Sequence, residues 1–166
     1  CDDKSIATLS GVALAPIKTK FAGPAPVLQE SEEEDIIDEA IGYFRVQCLF
    51  KNFKVKGPAD ILMIYMTVFI QKVLETITKD QNDQAKASKA VLALAMQEVN
   101  VSNFFLKNLC TTVKSEDGKL AQYLKQVKQE VSKRILNIIY NPEWGTLDMK
   151  FWLSYSKKKF LNMTFS

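Results

Sequence analysis

The chain has 166 residues, 47% of them hydrophobic and 25% charged, with 22 basic against 19 acidic side chains for a net charge of +3. That length suits one domain with ample apolar material for a core, and it excludes low-complexity disorder for the bulk of the chain; the balanced charge lacks the clustered basic excess of most nucleic-acid binders. There is no histidine, which removes Ser-His-Asp and Cys-His nucleophile pairs, His-containing zinc sites and the commonest general base at neutral pH.

Residues 1–30 do not read as a helix, because Gly11, Pro16, Gly23, Pro24 and Pro26 interrupt every period. Leu9, Val12, Leu14, Ile17 and Phe21 are nonetheless too apolar for a free tail. The expectation is an extended arm laid across a helical body (31–166) or a neighbouring subunit, with Pro24 and Pro26 favouring extended backbone at Gly23 and Ala25. Seven acidic residues follow between Glu30 and Glu39. They predict a solvated face that also suits the positive end of a helix, and Ser31 and Glu34 have capping-box spacing. A first helix is expected from Glu32 or Glu33 to between Phe50 and Phe53, with Ile37, Ile41, Phe44 and Cys48 facing inward and Ile36, Ala40 and Leu49 widening the stripe.

Gly57-Pro58 announces a second helix, since proline is favoured at the first helical position. Its run from Ile61 to Ile70 is apolar nearly all round and continues through Val73, Leu74 and Ile77. The pattern is too long for a buried strand, so it predicts a central helix over about 58–78, surrounded by the others. The uninterrupted apolar run is half of what a membrane span needs. Residues 79–87 are polar and loop-like, and a third helix is expected after them on Val91, Leu92, Ala95, Met96 and Val99. Residues 100–118 keep no clean period despite Phe104, Phe105, Leu106, Leu109 and Val113. A fourth helix is written in Leu120, Leu124, Val127, Val131, Ile135 and Ile138, with Lys119, Lys125, Lys128, Gln129 and Lys133 on its wet face and Asn141-Pro142 as its stop. A fifth is expected from Leu147 to Asn162. The fold class is all-α: a compact five-helix body plus an extended arm.

Little in the sequence carries chemistry. The six glycines are isolated, so neither a dinucleotide fingerprint nor a P-loop is present. The paired carboxylates fall inside the acidic run, where solvation would leave them poor acid-base groups. Cys1, Cys48 and Cys110 are odd in number and widely spaced; they fit reduced thiols of a cytosolic protein better than a disulfide framework, and no secretory signal is visible. Cys48 reads as a small buried hydrophobe. Asn100-Val101-Ser102 and Asn162-Met163-Thr164 match a glycosylation pattern that arises often by chance. Lys157, Lys158 and Lys159 lie beside Trp152, Tyr155 and Phe160; the reading is an amphipathic last helix, with an acidic protein surface ahead of nucleic acid as its partner.

Three blocks resemble the family of subunit 3 of the actin-related protein 2/3 complex. They are GVALAPIKTKFAGPAP (11–26), the stretch 35–77 that opens DIIDEAIGYFRVQCLFKNF, and 119–165 with AQYLKQVKQE, the helix-ending Asn-Pro and the aromatic-basic tail. The middle departs, since residues 99–113 lack the proline- and glycine-rich loop usual in the family. The resemblance implies a five-helix body around one central helix, no enzymatic activity and no cofactor. It implies a place on the larger actin-related protein of a seven-subunit assembly that nucleates branched actin filaments in the cytoplasm, with ATP bound by the actin-related proteins. Neither nucleic acid nor membrane insertion is expected. The partner-contact candidates are Phe21, Pro24 and Pro26 in the arm and Trp152, Lys157, Lys158 and Phe160 in the tail. The competing reading is a secreted four-helix-bundle signalling protein, and a basic nucleic-acid module is the third.

Overall fold

The computed structural model describes residues 6–29, 33–47, 54–100, 113–141 and 150–157. Its element order is a short hairpin, β1 (Thr8–Leu9) and β2 (Val12–Ala13), then α1 (Ile36–Gln47), α2 (Pro58–Lys79), α3 (Gln84–Met96) and α4 (Asp117–Ile139), with a 3-10 turn at Ser154–Lys157. The protein is mostly helical, and the hairpin qualifies the all-α expectation. It pairs Thr8 with Ala13 and Leu9 with Val12. Ser10 and Gly11 both hold positive φ, 48° and 81°, the combination that a two-residue hairpin turn needs to match strand twist. Glycine makes the second of these easy; Ser10 is held there by its bonds to the start of α4, described below.

The second helix is central, as its sequence predicts. It packs on α1, α3, α4, β2 and the 3-10 turn. Ile61, Leu62, Ile64, Tyr65, Met66, Phe69, Ile70, Val73, Leu74 and Ile77 are all buried. Pro58 stands at its first position, and Asp60 reaches back to accept from the Gly57 and Lys56 amides at 3.1 and 2.7 Å. By length and composition the whole helix could cross a membrane, so the shortness of its purely apolar run does not separate the two cases. Its burial among the other helices does, and marks a core helix.

Several boundaries and faces differ from expectation. The first helix starts at Ile36, three or four residues late, because Asp35 is its cap: Asp35 Oδ1 accepts from the Ile37 and Asp38 amides at 3.1 and 3.0 Å. Ile37, Ala40, Ile41 and Phe44 face inward as read, whereas Ser31, Cys48, Leu49 and the expected end at 50–53 lie outside the described residues. The third helix begins inside the expected loop, where Asp83 accepts from the Lys86 amide at 3.0 Å. Its buried face is the small set Ala87, Val91 and Ala95. Leu92 and Met96, read as inner residues, are 47% and 53% exposed. Small residues let α3 lie close to its neighbours, and the larger side chains are turned out.

On α4, Lys128 is not on the wet face but only 1% exposed. Its Nζ donates to the Gln97 carbonyl at 2.6 Å, at the C-terminal cap of α3, where a cation also meets the negative end of that helix. Burial, reinforced by Lys125, pulls its ammonium down to about 8. The tail is helical over 150–153 and tightens into the 3-10 turn, rather than running on as a regular helix through that turn. Residues 101–112, 142–149 and 158–166, and with them Pro142, Lys158 and Phe160, lie outside the described residues.

Leu62 is fully buried in α2, so Leu62→Ala should cost about 2–5 kcal/mol in urea unfolding, whereas Leu92→Ala should stay within about 0.5 kcal/mol of wild type.

Candidate functional site

The arm is fastened along one polar stripe of α4. Tyr123, Gln126, Glu130 and Arg134 recur at steps of three, four and four, which places them on one helix face. The Tyr123 hydroxyl donates to the Ala15 carbonyl at 3.1 Å. Thr19 Oγ1 donates to Glu130 Oε2 at 3.0 Å. Before the helix begins, Glu116 Oε2 accepts from the Ser10 amide at 2.6 Å, and Ser10 Oγ accepts from the Val113 amide at 3.1 Å. The geometry closes: eighteen helical residues from Glu116 to Arg134 rise about 27 Å, and eight extended residues from Ser10 to Lys18 span about 26 Å. The arm therefore follows α4 along most of its length.

It then doubles back. The Ile17 amide donates to the Pro26 carbonyl at 3.0 Å and the Leu28 amide to the Ile17 carbonyl at 3.1 Å, closing a loop over Gln126. The carboxamide of Gln126, 1% exposed, brackets that loop: Nε2 donates to the Phe21 carbonyl at 2.8 Å and Oε1 accepts from the Ala25 amide at 3.0 Å. Gly23 crosses so close that an added Cβ would lie 2.6 Å from Gln126 Cδ and closer still to Oε1. Any larger residue there would have to push the Gln126 carboxamide away from the bonds it makes to the arm.

Arg134 is the strongest tie. Nη1 donates to Asp35 Oδ1 at 2.6 Å and Asp38 Oδ1 at 2.7 Å, Nη2 to Asp35 Oδ2 at 2.8 Å and the Lys18 carbonyl at 2.7 Å, and Nε to Glu130 Oε1 at 3.0 Å. All five guanidinium donors are thus used. Asp35 also accepts from the Lys18 amide at 2.8 Å, and Lys18 Nζ lies 3.3 Å from Asp38 Oδ2. One cluster so joins the arm, the start of α1 and the C-terminal part of α4. Burial alone would raise the Asp35 carboxyl, but the bond from Arg134 and the Lys18 and Asp38 amides overcome it and hold it at about 2. Burial opposes the charge on Arg134 too, and its acidic partners outweigh that and push it above the ordinary guanidinium value. The acidic run is accordingly not simply a solvated face.

The tail lies on α1. Trp152 stacks on Phe44 with centroids 6.2 Å apart, and Tyr155 meets the same ring edge-on at 6.1 Å. Between α1, α4 and this tail runs an open groove of about 660 Å³, whose lining includes both Arg134 and Trp152.

The structure distributes the expected contact residues unevenly. Phe21 is half-buried, with Lys133 Nζ 5.9 Å from its ring centroid. Pro24 is half-buried and Pro26 exposed, and Val27 beside them is 63% exposed. Trp152 is buried against the chain's own Phe44, while Lys157 is exposed. Lys158 and Phe160 lie outside the described residues. The residues not anticipated are Asp35, Tyr123, Gln126, Glu130 and Arg134. A second, polar period on α4, one step round from Leu120, Leu124, Val127 and Val131, was the available signal. Among the described residues, no group of three or more acidic or cysteine side chains is placed to hold a metal.

Fold and site together define a small, mostly helical protein built on one apolar helix, with an N-terminal arm clamped to its surface by polar side chains. Residues 1–165 match the family model described as P21-Arc, the ARP2/3 complex ARPC3 (21 kDa) subunit, and the chain belongs to that family. It is similar to actin-related protein 2/3 complex subunit 3 of Arabidopsis thaliana, 36% identical over 167 aligned positions covering 98% of this chain and 94% of that one. The Schizosaccharomyces pombe protein of the same name is 37% identical over 160 positions, 95% and 91% of the two chains. That of Dictyostelium discoideum is 35% identical over 159, or 93% and 89%.

Because Asp35 sits at about 2 when folded against a usual 3.8, it adds stability at and above pH 3.8, and that contribution disappears as pH falls toward 2. The linkage is on the order of 2 kcal/mol. Urea unfolding of wild type should lose this increment across that window, and Asp35→Asn should flatten it. At neutral pH Arg134→Met, which strands Asp35 unpaired, should cost about 3–5 kcal/mol.

Proposed function

We propose that this chain is a non-catalytic structural subunit of the actin-related protein 2/3 complex. It docks on an actin-related protein, helps hold it in a nucleation-competent position and so supports branching of actin filaments. In this reading its partners are the actin-related proteins and the other subunits of a seven-subunit assembly. It meets the actin filament indirectly or at the branch junction, works in the cytoplasm with the actin cytoskeleton, and leaves ATP to the actin-related proteins. The observation that carries the reading is the family match over residues 1–165.

The site's chemistry agrees with it. The most highly charged cluster spends every Arg134 donor on acceptors of its own chain, which is the work of a fastener. Of the expected contact residues, those left open for docking beyond the core are at the Pro24–Val27 edge of the arm loop and the Lys157 end of the tail. The secreted signalling alternative gains nothing from the family match.

Pull-down of the chain from its own cytosol at moderate salt, with the co-purifying proteins identified by mass, tests this directly. Wild type should return two actin-related proteins and several small partners in near-equal amounts. Pro24→Ala/Pro26→Ala should keep its helical circular dichroism but return less of them. Recovery of wild type alone, or with a membrane receptor, would overturn the proposal; undiminished recovery with the double variant would remove the arm from it.

A further inference from the structure

We propose that the groove between α1, α4 and the 150–157 tail is a docking slot for a segment of another subunit, one presenting an apolar side chain between a basic and an acidic residue. This rests on the subunit reading above and says which surface serves it.

The groove is about 660 Å³ and runs beside α1 from Glu34 to Arg45. Two of its four charged residues are already committed: Arg134 and Asp38 bind each other, and Asp38 also pairs with Lys18. Glu34 and Arg45, at opposite ends, form no ion pair among the described residues. Arg45 lies over Phe151 and Trp152, 5.0 and 5.9 Å from their ring centroids. A guanidinium stacked on aromatic rings keeps its in-plane donors for an incoming acid. Glu34 and Arg45 are eleven residues apart, roughly 16 Å at helical rise. That separation spaces an incoming base from an incoming acid by about three helical turns or five extended residues.

Between these charges the lining is apolar at Ile41, Ile138 and Trp152 beside the paired Asp38 and Arg134. Gly42 is exposed in the middle of α1, and a Cβ built on it meets nothing within 4 Å. Internal packing therefore does not call for glycine there, yet a mid-helix glycine is less stable than alanine. Glycine does suit a place where another backbone must come close. Val46, one helical turn beyond Gly42, is a further exposed apolar residue of α1 at 53%.

The test uses the remaining subunits, purified as a complex without this chain, and measures how tightly labelled wild type or variants rejoin it. Gly42→Leu fills the slot, Gly42→Ala leaves it open, and Arg45→Glu reverses one end. Both Gly42 variants should melt no lower than wild type, since each replaces glycine by a better helix former. Gly42→Leu and Arg45→Glu should weaken rejoining by at least about tenfold, whereas Gly42→Ala should stay within about twofold. If Gly42→Leu rejoins as tightly as wild type, the slot is unoccupied and this inference fails, while the subunit reading stands. If Gly42→Leu instead abolishes self-association of the isolated chain with rejoining intact, the slot belongs to a second copy and the inference fails in that way. If wild type itself does not rejoin, both readings fall together.

Discussion

The guanidinium of Arg134 is the point on which the arm, α1 and α4 depend. It is a cation with five donors, two of which meet Asp35 and the other three Asp38, the Lys18 carbonyl and Glu130. A lysine could not replace it, because one ammonium cannot address two carboxylates, a carbonyl and a third carboxylate in a fixed plane. Asp35 is its counterpart. The same carboxylate caps α1, receives the arm through the Lys18 amide and balances the arginine. Capping, arm register and helix docking are therefore coupled, since removing Arg134 takes from the buried Asp35 its counter-charge.

The rest of the arm is consistent with that anchor. Tyr123 and Gln126 bind backbone groups of the arm, so what they recognise is the path of the main chain and not particular side chains. Buried backbone needs such partners, and α4 supplies them at its own period. Leu9, Val12, Leu14 and Ile17 then add their side chains to the same hydrophobic cluster as α2. The arm is a layer of the core, and beyond its short hairpin a proline- and glycine-rich sequence is held in place largely by side chains of α4.

Much of this was legible from residues. The run from Ile61 to Ile77 gives a central helix because a side chain that cannot find a polar face must be surrounded. The Gly57-Pro58 start and the Leu120–Ile135 stripe were equally plain. Three things were not. The start of α1 was hidden because Asp35 stands among six other acids, and nothing local tells a cap from its neighbours; only the distant Arg134 does. Lys128 was placed in water because its stripe position is polar, and the acceptor that takes it inside is the carbonyl of Gln97 thirty-one residues away. On α3 both faces are apolar, so periodicity could not say that Ala87, Val91 and Ala95 go inward in place of Leu92 and Met96. Of the candidate contacts, Trp152 was assigned to a partner, and no sequence rule pairs it with Phe44, the ring it stacks on.

The most direct measurement of the central claim is native-state hydrogen exchange on the isolated chain, followed at the Ile17, Lys18 and Ala25 amides. If α4 clamps the arm through Arg134 and Gln126, these amides should exchange as slowly as those in the middle of α4, because the arm is released only when the body opens. Exchange of the three near the unfolded rate, with α2 and α4 still protected, would contradict the account and make the arm an independent tail.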